Sequence, residues 1–167
     1  MNRNAYLVMG VTGSGKSTVG AMLAQAIGAD FVEGDEYHTP ENVRRMASGV
    51  PLTDEDRADW LRALAARIAE ARTTGNGIVV ACSALKRSYR DILRTADADL
   101  RFVFLKGSES LIAGRIAARR DHFMPPPLLD SQLATLEEPT QDENTLVCDI
   151  SETPQSIVDA VLGSDTK

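Results

Sequence analysis

The sequence is poor in cysteine and has no long apolar run. Its 167 residues include two cysteines, Cys82 and Cys148, which form neither a CxxC motif nor a metal-type spacing. Buried free thiols in a reducing compartment are therefore expected rather than a disulfide framework. The longest apolar stretches, at 5–11 and 77–82, are far shorter than the ~20 residues that a membrane helix needs. We therefore expect neither a disulfide-rich secreted domain nor a membrane partner, and we expect a cytoplasmic location.

Basic residues are also in the minority. Lysine and arginine number 18 against 24 aspartates and glutamates, which gives a formal net charge of −6. Proteins that bind nucleic acid attract the phosphate backbone with a basic face, so no nucleic-acid partner is expected. If the substrate is an anion, a local group of cations must bind it. No linker divides the chain, and its length predicts a single domain over 1–167.

Apolar runs alternate with helical periodicity along the chain. Runs rich in β-branched or aromatic residues predict strands at 5–11, 30–32, 77–82, 100–105 and 145–150. Helical patterns cover 17–27, 53–72 and 108–119, and Thr-Pro pairs at 39–40 and 153–154 predict two further helix starts. The strands are apolar almost throughout, which is typical of a parallel sheet covered on both faces. The pattern predicts a three-layer α/β fold with right-handed crossovers.

The clearest motif is GVTGSGKS at residues 10–17, between the first predicted strand and a helix. It fits the pattern G-x-x-x-x-G-K-[ST], whose glycines let backbone N–H groups point at a phosphate. The side chain of Lys16 can then reach the β- and γ-phosphates, and the hydroxyl of Ser17 can ligate Mg²⁺. The motif predicts a nucleoside triphosphate site formed by Gly10, Gly13, Ser14, Gly15, Lys16, Ser17 and Thr18.

A second group of polar residues, at 33–38, follows the second predicted strand. Its carboxylates are expected at the carboxyl edge of the sheet, where open α/β folds bind ligands. Asp35 is the candidate that orients an acceptor hydroxyl and accepts its proton, the alternative being a loop or capping aspartate. His38 is either a packed histidine or a contact to the substrate, and no second histidine at metal spacing supports a metal site.

A third group, at 82–87, ends the third predicted strand and is interpreted as the start of a helix. A helix N-terminus with Ser83 and a nearby Lys86 can hold an anionic acceptor. The alternative is an ordinary capped helix start with solvated basic residues.

A fourth group consists of arginines that precede the sequence HFMPPP at 122–127. Three consecutive prolines predict a loop there, because proline cannot continue a helix. Arg115, Arg119 and Arg120 form either a solvated basic face or part of a lid that closes over the triphosphate.

Together these motifs resemble those of the gluconate kinases, which are P-loop kinases related to shikimate and adenylate kinases. The resemblance runs from about residue 9 to residue 150. It is carried by GVTGSGKST (10–18), GDEYHTPENVRRMASGVPLTDEDRADWL (34–61), CSALKRSYRDILR (82–94) and RRDHFMPPPLLDSQLATLEEP (119–139). Thr12 stands where serine is common and Thr39 where proline is common, and neither departure removes a group that the chemistry needs.

The resemblance implies a P-loop kinase fold with a five-stranded parallel sheet and a short lid around 119–128. It implies phosphorylation of the 6-hydroxyl of D-gluconate by ATP with Mg²⁺, and often a homodimer. By the same resemblance, the catalytic residues are Lys16, Asp35, Arg119 and Arg120, with His122 in or near the lid. The gluconate contacts are Asp35, His38, Arg57, Ser83, Lys86 and Gln132.

Two alternatives stay open on the sequence alone. One is a P-loop kinase of another small acceptor, such as shikimate or a nucleoside monophosphate. The other is a nucleotide-binding switch without an acceptor. The sequence has no N-K-x-D guanine motif, which argues against a GTPase, and Asp35 with its neighbouring acceptor cluster argues against a passive binder.

Overall fold

The computed structural model describes residues 4–50, 52–118 and 126–164. Its strands are Ala5–Met9 (β1), Asp30–Glu33 (β2), Ile78–Ala81 (β3), Arg101–Lys106 (β4) and Thr145–Asp149 (β5). The helices within these ranges are Lys16–Ile27 (α1), Pro40–Ala47 (α2), Asp54–Thr74 (α3), Arg87–Arg94 (α4), Glu109–Ala118 (α5), Pro126–Thr135 (α6) and Pro154–Ser164 (α7). Short 3₁₀ turns lie at Gly34–Tyr37 and Gln141–Glu143. None of the described helices is long and apolar enough to cross a membrane.

The five strands form one parallel sheet in the order β2-β3-β1-β4-β5, which confirms the predicted sheet. Val8 of β1 and Glu33 of β2 are both level with Ala81 of β3. Because these parallel strands end level with one another, the loops that follow them emerge at one edge. That is the edge at which open α/β sheets bind ligands.

The sheet buries apolar side chains on both faces. Along β1, Tyr6 and Val8 belong to one core, whereas Leu7 and Met9 belong to the other, as the two-residue period of a strand requires. The first core also takes residues from α1, α5, α6 and α7, and the second takes residues from α3 and α4. The predicted three-layer α/β fold is confirmed.

Local capping sets where the helices near the binding edge begin. Thr53 and Asp56 form a capping box at the start of α3: each backbone N–H donates to the other's side chain, at 3.0 Å and 3.1 Å. The hydroxyl of Thr39 accepts from the N–H of Asn42 at 3.2 Å and caps α2. Thr39 therefore supplies a helix cap at the position where it departs from the family pattern.

The proline-rich segment differs in part from its predicted loop. Helix α6 begins at Pro126, so Pro126 and Pro127 lie in its first turn. Proline is tolerated there because the N–H groups of the first turn have no intrahelical partner. The rest of that loop, and most of the predicted lid around 119–128, lies outside the described residues.

Candidate active site

The motif at residues 10–17, which we call the P-loop, connects β1 to α1 at the binding edge of the sheet. Gly13 has a φ of 79°, and a Cβ there would lie 2.7 Å from Cγ1 of Ile116, so both backbone and packing require glycine. Gly15 occupies the N-cap position of α1 and supplies no side-chain cap. The first N–H groups of α1 are therefore left for an anion, which the positive end of the helix also favours.

Two side chains at the start of α1 add charge and oxygen to this loop. The ammonium of Lys16 donates to the carbonyl of Val11, within the loop, at 3.0 Å. The hydroxyl of Ser17 donates to the carboxylate of Glu33, the last residue of β2. Burial raises the pKa of Glu33, against the opposing effect of the hydrogen bond from Ser17. The loop thus has a cation for phosphates and, beside it, two adjacent oxygen groups.

The oxygen groups of Ser17 and Glu33 suit a magnesium ion. The described residues contain no group of three or more His, Cys, Asp or Glu that could hold a metal by themselves. Mg²⁺ does not need such a group, because it keeps several waters and binds through one or two carboxylates together with substrate phosphates. The hydroxyl and carboxylate found together at the P-loop fit that donor set.

Asp35 lies in the 3₁₀ turn that follows β2, exposed at the binding edge. Trp60 of α3 donates its indole N–H to the carbonyl of Gly34 at 2.8 Å and so fixes this turn. A Cβ on Gly34 would lie 2.4 Å from the carbonyl oxygen of Ala81, so this close approach requires glycine. The negative charge of Asp35 also contributes to the raised pKa of Glu33, so the two carboxylates are neighbours.

His38 stacks on Trp60, with ring centroids 4.0 Å apart and an interplanar angle of 20°. Burial lowers the pKa of His38 to about 4; Asp35 opposes this effect, and the positive charge of Arg57 adds to it. The Nδ1 atom is buried and has no hydrogen-bond partner among the described residues. The imidazole is therefore neutral near pH 7, and its Nδ1 is enclosed by the protein rather than open to a ligand.

Two predicted gluconate contacts, Arg57 and Lys86, belong to a hydrogen-bonded network of four side chains, which we call the acceptor network. Arg57 of α3 donates to the hydroxyl of Tyr89 at 3.0 Å and to the carbonyl of Leu52 at 2.8 Å. Tyr89 donates to Asp54, whose carboxylate also accepts from Lys86 at 2.9 Å. With two cations and one carboxylate, this network carries the net positive charge that an anionic acceptor needs.

The two cations of the network differ in how they are paired. The hydrogen bond from Tyr89, followed by that from Lys86, lowers the pKa of Asp54, while Asp54 raises the pKa of Lys86. Arg57 forms no ion pair with a carboxylate in the part of the chain that the structure describes, since its partners there are neutral oxygens. Its charge acts on Asp54 and Asp56 only at longer range, where it lowers the pKa of each, so it is less firmly paired than the charge of Lys86.

The predicted helix start at 82–87 is wrong, because the chain between β3 and α4 forms a loop as far as Lys86. Helix α4 begins at Arg87, so Ser83 lies in the loop and not at a helix N-terminus. Ala84 has a φ of 46°, a left-handed conformation that costs about 1–2 kcal/mol for a residue with a Cβ. Buried Arg90, which is ion-paired with buried Glu143, donates to the carbonyl of Ala84 at 2.9 Å. A buried ion pair thus holds this strained loop.

Gln132, predicted as a gluconate contact, lies against the P-loop. Its side-chain oxygen accepts from the N–H of Thr12 at 2.6 Å. The structure therefore brings Gln132 to the nucleotide side of the site, and the predicted contact with gluconate stays a prediction.

Arg115 is the one arginine of the fourth group that lies within the described residues. It donates to the carbonyl of Ile150, and its Nη1 would be 4.0 Å from a Cβ built on Gly15, so it lies next to the P-loop. The lid roles of Arg119, Arg120 and His122 fall on residues outside the described ranges and stay predictions.

The sequence places Glu33 in the polar group at 33–38 without indicating a role for it, and it does not single out Asp54 or Tyr89. Glu33 carried a usable signal, because it is the last residue of a strand at the edge where ligands bind. Asp54 looked like an ordinary acidic residue in a first helical turn. Tyr89 gave no signal beyond its spacing of three residues from Lys86.

Comparison with known proteins extends these observations. Residues 6–139 match the family model described as an AAA domain. The thermoresistant gluconokinase of Escherichia coli (strain K12) is 41% identical over 158 residues, which cover 94% of this chain and 90% of that protein. A gluconokinase from Sinorhizobium meliloti 1021, solved by crystallography, is 48% identical with a TM-score of 0.88, covering 97% of this chain and 92% of that one.

The fold is also similar to that of more distant kinases. A shikimate kinase from Bacteroides thetaiotaomicron superposes with a TM-score of 0.71 over 98% of this chain and 99% of that one, at 15% identity. At that identity the likeness shows a common fold and nothing about the acceptor.

Proposed function

The chain belongs to the gluconokinase family, and on that premise we propose that it transfers the γ-phosphoryl group of ATP to the 6-hydroxyl of D-gluconate. The products are ADP and 6-phosphogluconate. The observation that carries the proposal is the acceptor-side network, in which Arg57 is a cation without a carboxylate partner among the described residues. A small acid thus has a site for its negative charge at the same sheet edge as the P-loop.

Phosphoryl transfer assigns different work to Asp35 and Lys16. The hydroxyl oxygen of gluconate forms a bond to the γ-phosphorus, and the bond from that phosphorus to the bridging oxygen breaks, which releases ADP. Asp35 accepts the hydroxyl proton. Lys16 offsets the negative charge that moves onto the phosphate oxygens. Asp35 suits its role because Trp60 and Gly34 fix its turn while the carboxylate is exposed at the edge.

Ser17 and Glu33 are the residues that would hold Mg²⁺. When bound, the ion neutralises charge on the β- and γ-phosphate oxygens of ATP. Glu33 supports this role from β2, because it already accepts the hydrogen bond of the Ser17 hydroxyl and so orients that oxygen. Replacement of Glu33 by glutamine would keep a hydrogen-bond acceptor but remove the negative charge that a cation needs.

Selectivity for an acid follows from the cost of leaving a charge unpaired. A neutral polyol that entered the site would desolvate Arg57 without giving it a counter-charge. Sites built to pair with a polar group reject analogues that lack it by about 10⁴-fold or more. Gluconate provides the carboxylate that a neutral polyol lacks, and the contact of its hydroxyls with the neutral imidazole of His38 stays a prediction.

The test is ADP release measured with separate acceptors. D-gluconate should raise the rate by orders of magnitude over ATP alone. Sorbitol has a similar set of hydroxyls but no carboxylate, and it should stimulate weakly, as should glucose, shikimate and AMP. Stimulation by shikimate or AMP alone would contradict the substrate assignment. A slow rate unchanged by any acceptor would indicate a nucleotide switch. The homodimer implied by the sequence resemblance stays a prediction.

A further inference from the structure

Residues 132–137, which we call the bridging segment, contact both halves of the site. At one end, the side-chain oxygen of Gln132 accepts from the N–H of Thr12 in the P-loop at 2.6 Å. At the other end, the N–H of Glu137 donates to the carbonyl of Leu85 at 2.7 Å, and its carboxylate accepts from the N–H of Arg87 at 3.0 Å. The segment therefore links the nucleotide loop to the loop that carries Lys86.

At the nucleotide loop, the bridging segment contacts a single peptide unit. The peptide between Val11 and Thr12 donates its N–H to Gln132, and its carbonyl accepts from the ammonium of Lys16 at 3.0 Å. A shift of this peptide would therefore move an anchor of Lys16, the cation that faces the transferring phosphoryl group.

At its other end, beside Lys86, the bridging segment supplies the side-chain cap that helix α4 otherwise lacks. Lys86 occupies the N-cap position of α4 and makes no side-chain capping bond there. Glu137 caps the helix instead, through the N–H of Arg87. Because Leu85 and Arg87 flank Lys86 and both bond to Glu137, the bridging segment fixes the backbone of Lys86 from both sides.

The two ends are joined by a short, ordered piece of chain. The N–H of Leu136 donates to the carbonyl of Gln132 at 2.9 Å, so one helical turn connects the contacts at each end. Leu133 and Leu136 pack against the buried core. A displacement at one end is thus passed to the other, because a packed helical turn moves as a unit.

We propose that the bridging segment is a positioning element for phosphoryl transfer. Gln132 and Glu137 hold the P-loop and the loop that carries Lys86 at the separation that phosphoryl transfer from ATP to gluconate needs. The inference rests on the proposed function but differs from direct contact between Gln132 and gluconate. A misplacement of about 1 Å can cost roughly 10²-fold in rate, and a badly placed acceptor lets water compete for the phosphoryl group.

The test compares Gln132→Ala, Glu137→Ala and the double variant with the wild-type protein. Two quantities are measured: kcat with gluconate, and the ratio of ADP formed to phosphogluconate formed. Glu138→Ala is the matched control, because Glu138 is the next residue, is also exposed, and makes a surface ion pair with Lys106 at 2.8 Å. Glu137→Gln is the conservative variant, since its side-chain oxygen can still accept from Arg87.

Each single alanine variant should lower kcat by about 10–100-fold and raise the ratio of ADP to phosphogluconate above that of the wild type. The double variant should lose less than the sum of the two single losses in activation free energy, because both changes weaken the same connection, in which the backbone bond from Glu137 to Leu85 remains. Glu137→Gln should recover most of the rate, and Glu138→Ala should match the wild type.

Three results would overturn the bridging role. The first is a lower melting temperature with unchanged kcat and unchanged ratio, which indicates structural support alone. The second is a double variant whose loss in kcat, expressed as activation free energy, equals the sum of the losses in the two single variants. The third is a rise in the gluconate KM of Gln132→Ala with kcat intact, which indicates a direct contact. A wild-type protein that forms no phosphogluconate would contradict the proposed function instead, and the variants are then compared with the acceptor that does stimulate.

Discussion

The P-loop is one continuous stretch of chain, whereas the acceptor side is assembled from separate segments. The P-loop lies between β1 and α1 and relies on backbone N–H groups and on glycines such as Gly13 and Gly15. The acceptor network joins Asp54 and Arg57 of α3 to Lys86 and Tyr89 through side chains. Backbone groups are the same in every sequence, but side-chain networks are specific. The difference explains how one nucleotide motif can serve many acceptors.

This comparison also tells where substitutions should act. Changes on the nucleotide side should affect the reaction with any acceptor, because every transfer uses the same phosphates. Changes in the acceptor network should alter gluconate affinity and selectivity. They should not change the slow rate of ATP hydrolysis that is measured without an acceptor. The carboxylate of Asp35 lies between the two halves and should affect the chemical step most.

The largest effect is expected at Asp35. Asp35→Asn keeps the shape of the side chain but removes the group that accepts the hydroxyl proton. We expect kcat with gluconate to fall by about 10²–10⁴-fold, the range for loss of a general base. Steady-state kinetics with both substrates varied gives the measurement. If only the gluconate KM rises, Asp35 positions the acceptor and is not the base.

A similar but smaller loss is expected on the nucleotide side. Lys16→Met removes the cation from the P-loop and should lower the rate with gluconate by about 10²–10³-fold. The residual ATP hydrolysis without acceptor should fall as well, which acceptor-side variants should not show. Lys106→Met is the control, because Lys106 is ion-paired with Glu138 at the surface. A folded Lys16→Met variant with near-normal turnover would contradict the role of the P-loop.

The third prediction sharpens the difference between the two acceptor-side cations. Arg57→Met should raise the gluconate KM by about 10–100-fold, since a charged hydrogen bond is worth about 1.5–3 kcal/mol. Lys86→Met should raise it less, because the charge of Lys86 is already paired with Asp54. The measurement is the gluconate KM of both variants at saturating ATP. An equal or larger effect at Lys86 would show that gluconate displaces Asp54 from Lys86.

The smallest effect concerns pH and His38. Burial lowers the pKa of His38 from its ordinary 6.5 to about 4, so the folded protein holds the neutral ring where the unfolded chain takes up a proton. The contribution of His38 to stability is therefore fully present above pH 6.5 and is lost as the pH falls from 6.5 to about 4. His38→Phe keeps a ring against Trp60, and its free energy of unfolding should fall less over this interval. Urea denaturation at a series of pH values measures the difference. Equal slopes for both proteins would contradict it.

The features of the protein that its sequence predicts are local ones. The parallel sheet followed from apolar strands, and the P-loop followed from contiguous residues, because each depends on neighbours in the chain. The contact between Ser17 and Glu33 depends on how α1 packs beside β2, which no spacing in the sequence reveals. Likewise, the bond from the N–H of Thr12 to Gln132 depends on how α6 packs against the core, which no spacing in the sequence reveals.

Two predicted helix boundaries differ from the structure. The segment at 82–87 looked like a helix start, but the left-handed Ala84 and the buried pair of Arg90 and Glu143 keep it a loop until Arg87. The prolines at 126 and 127 looked like a helix breaker, yet they lie in the first turn of α6. In both cases the boundary depends on contacts or on position within the helix, not on residue type alone.

The most direct test of the central claim is phosphorus NMR of the wild-type protein with ATP, Mg²⁺ and D-gluconate. We expect the γ-phosphate signal to be replaced by that of a phosphomonoester at the 6-position of gluconate, formed in equal amount to ADP. Inorganic phosphate in place of the ester, or an ester formed only when another acceptor is supplied, would contradict it.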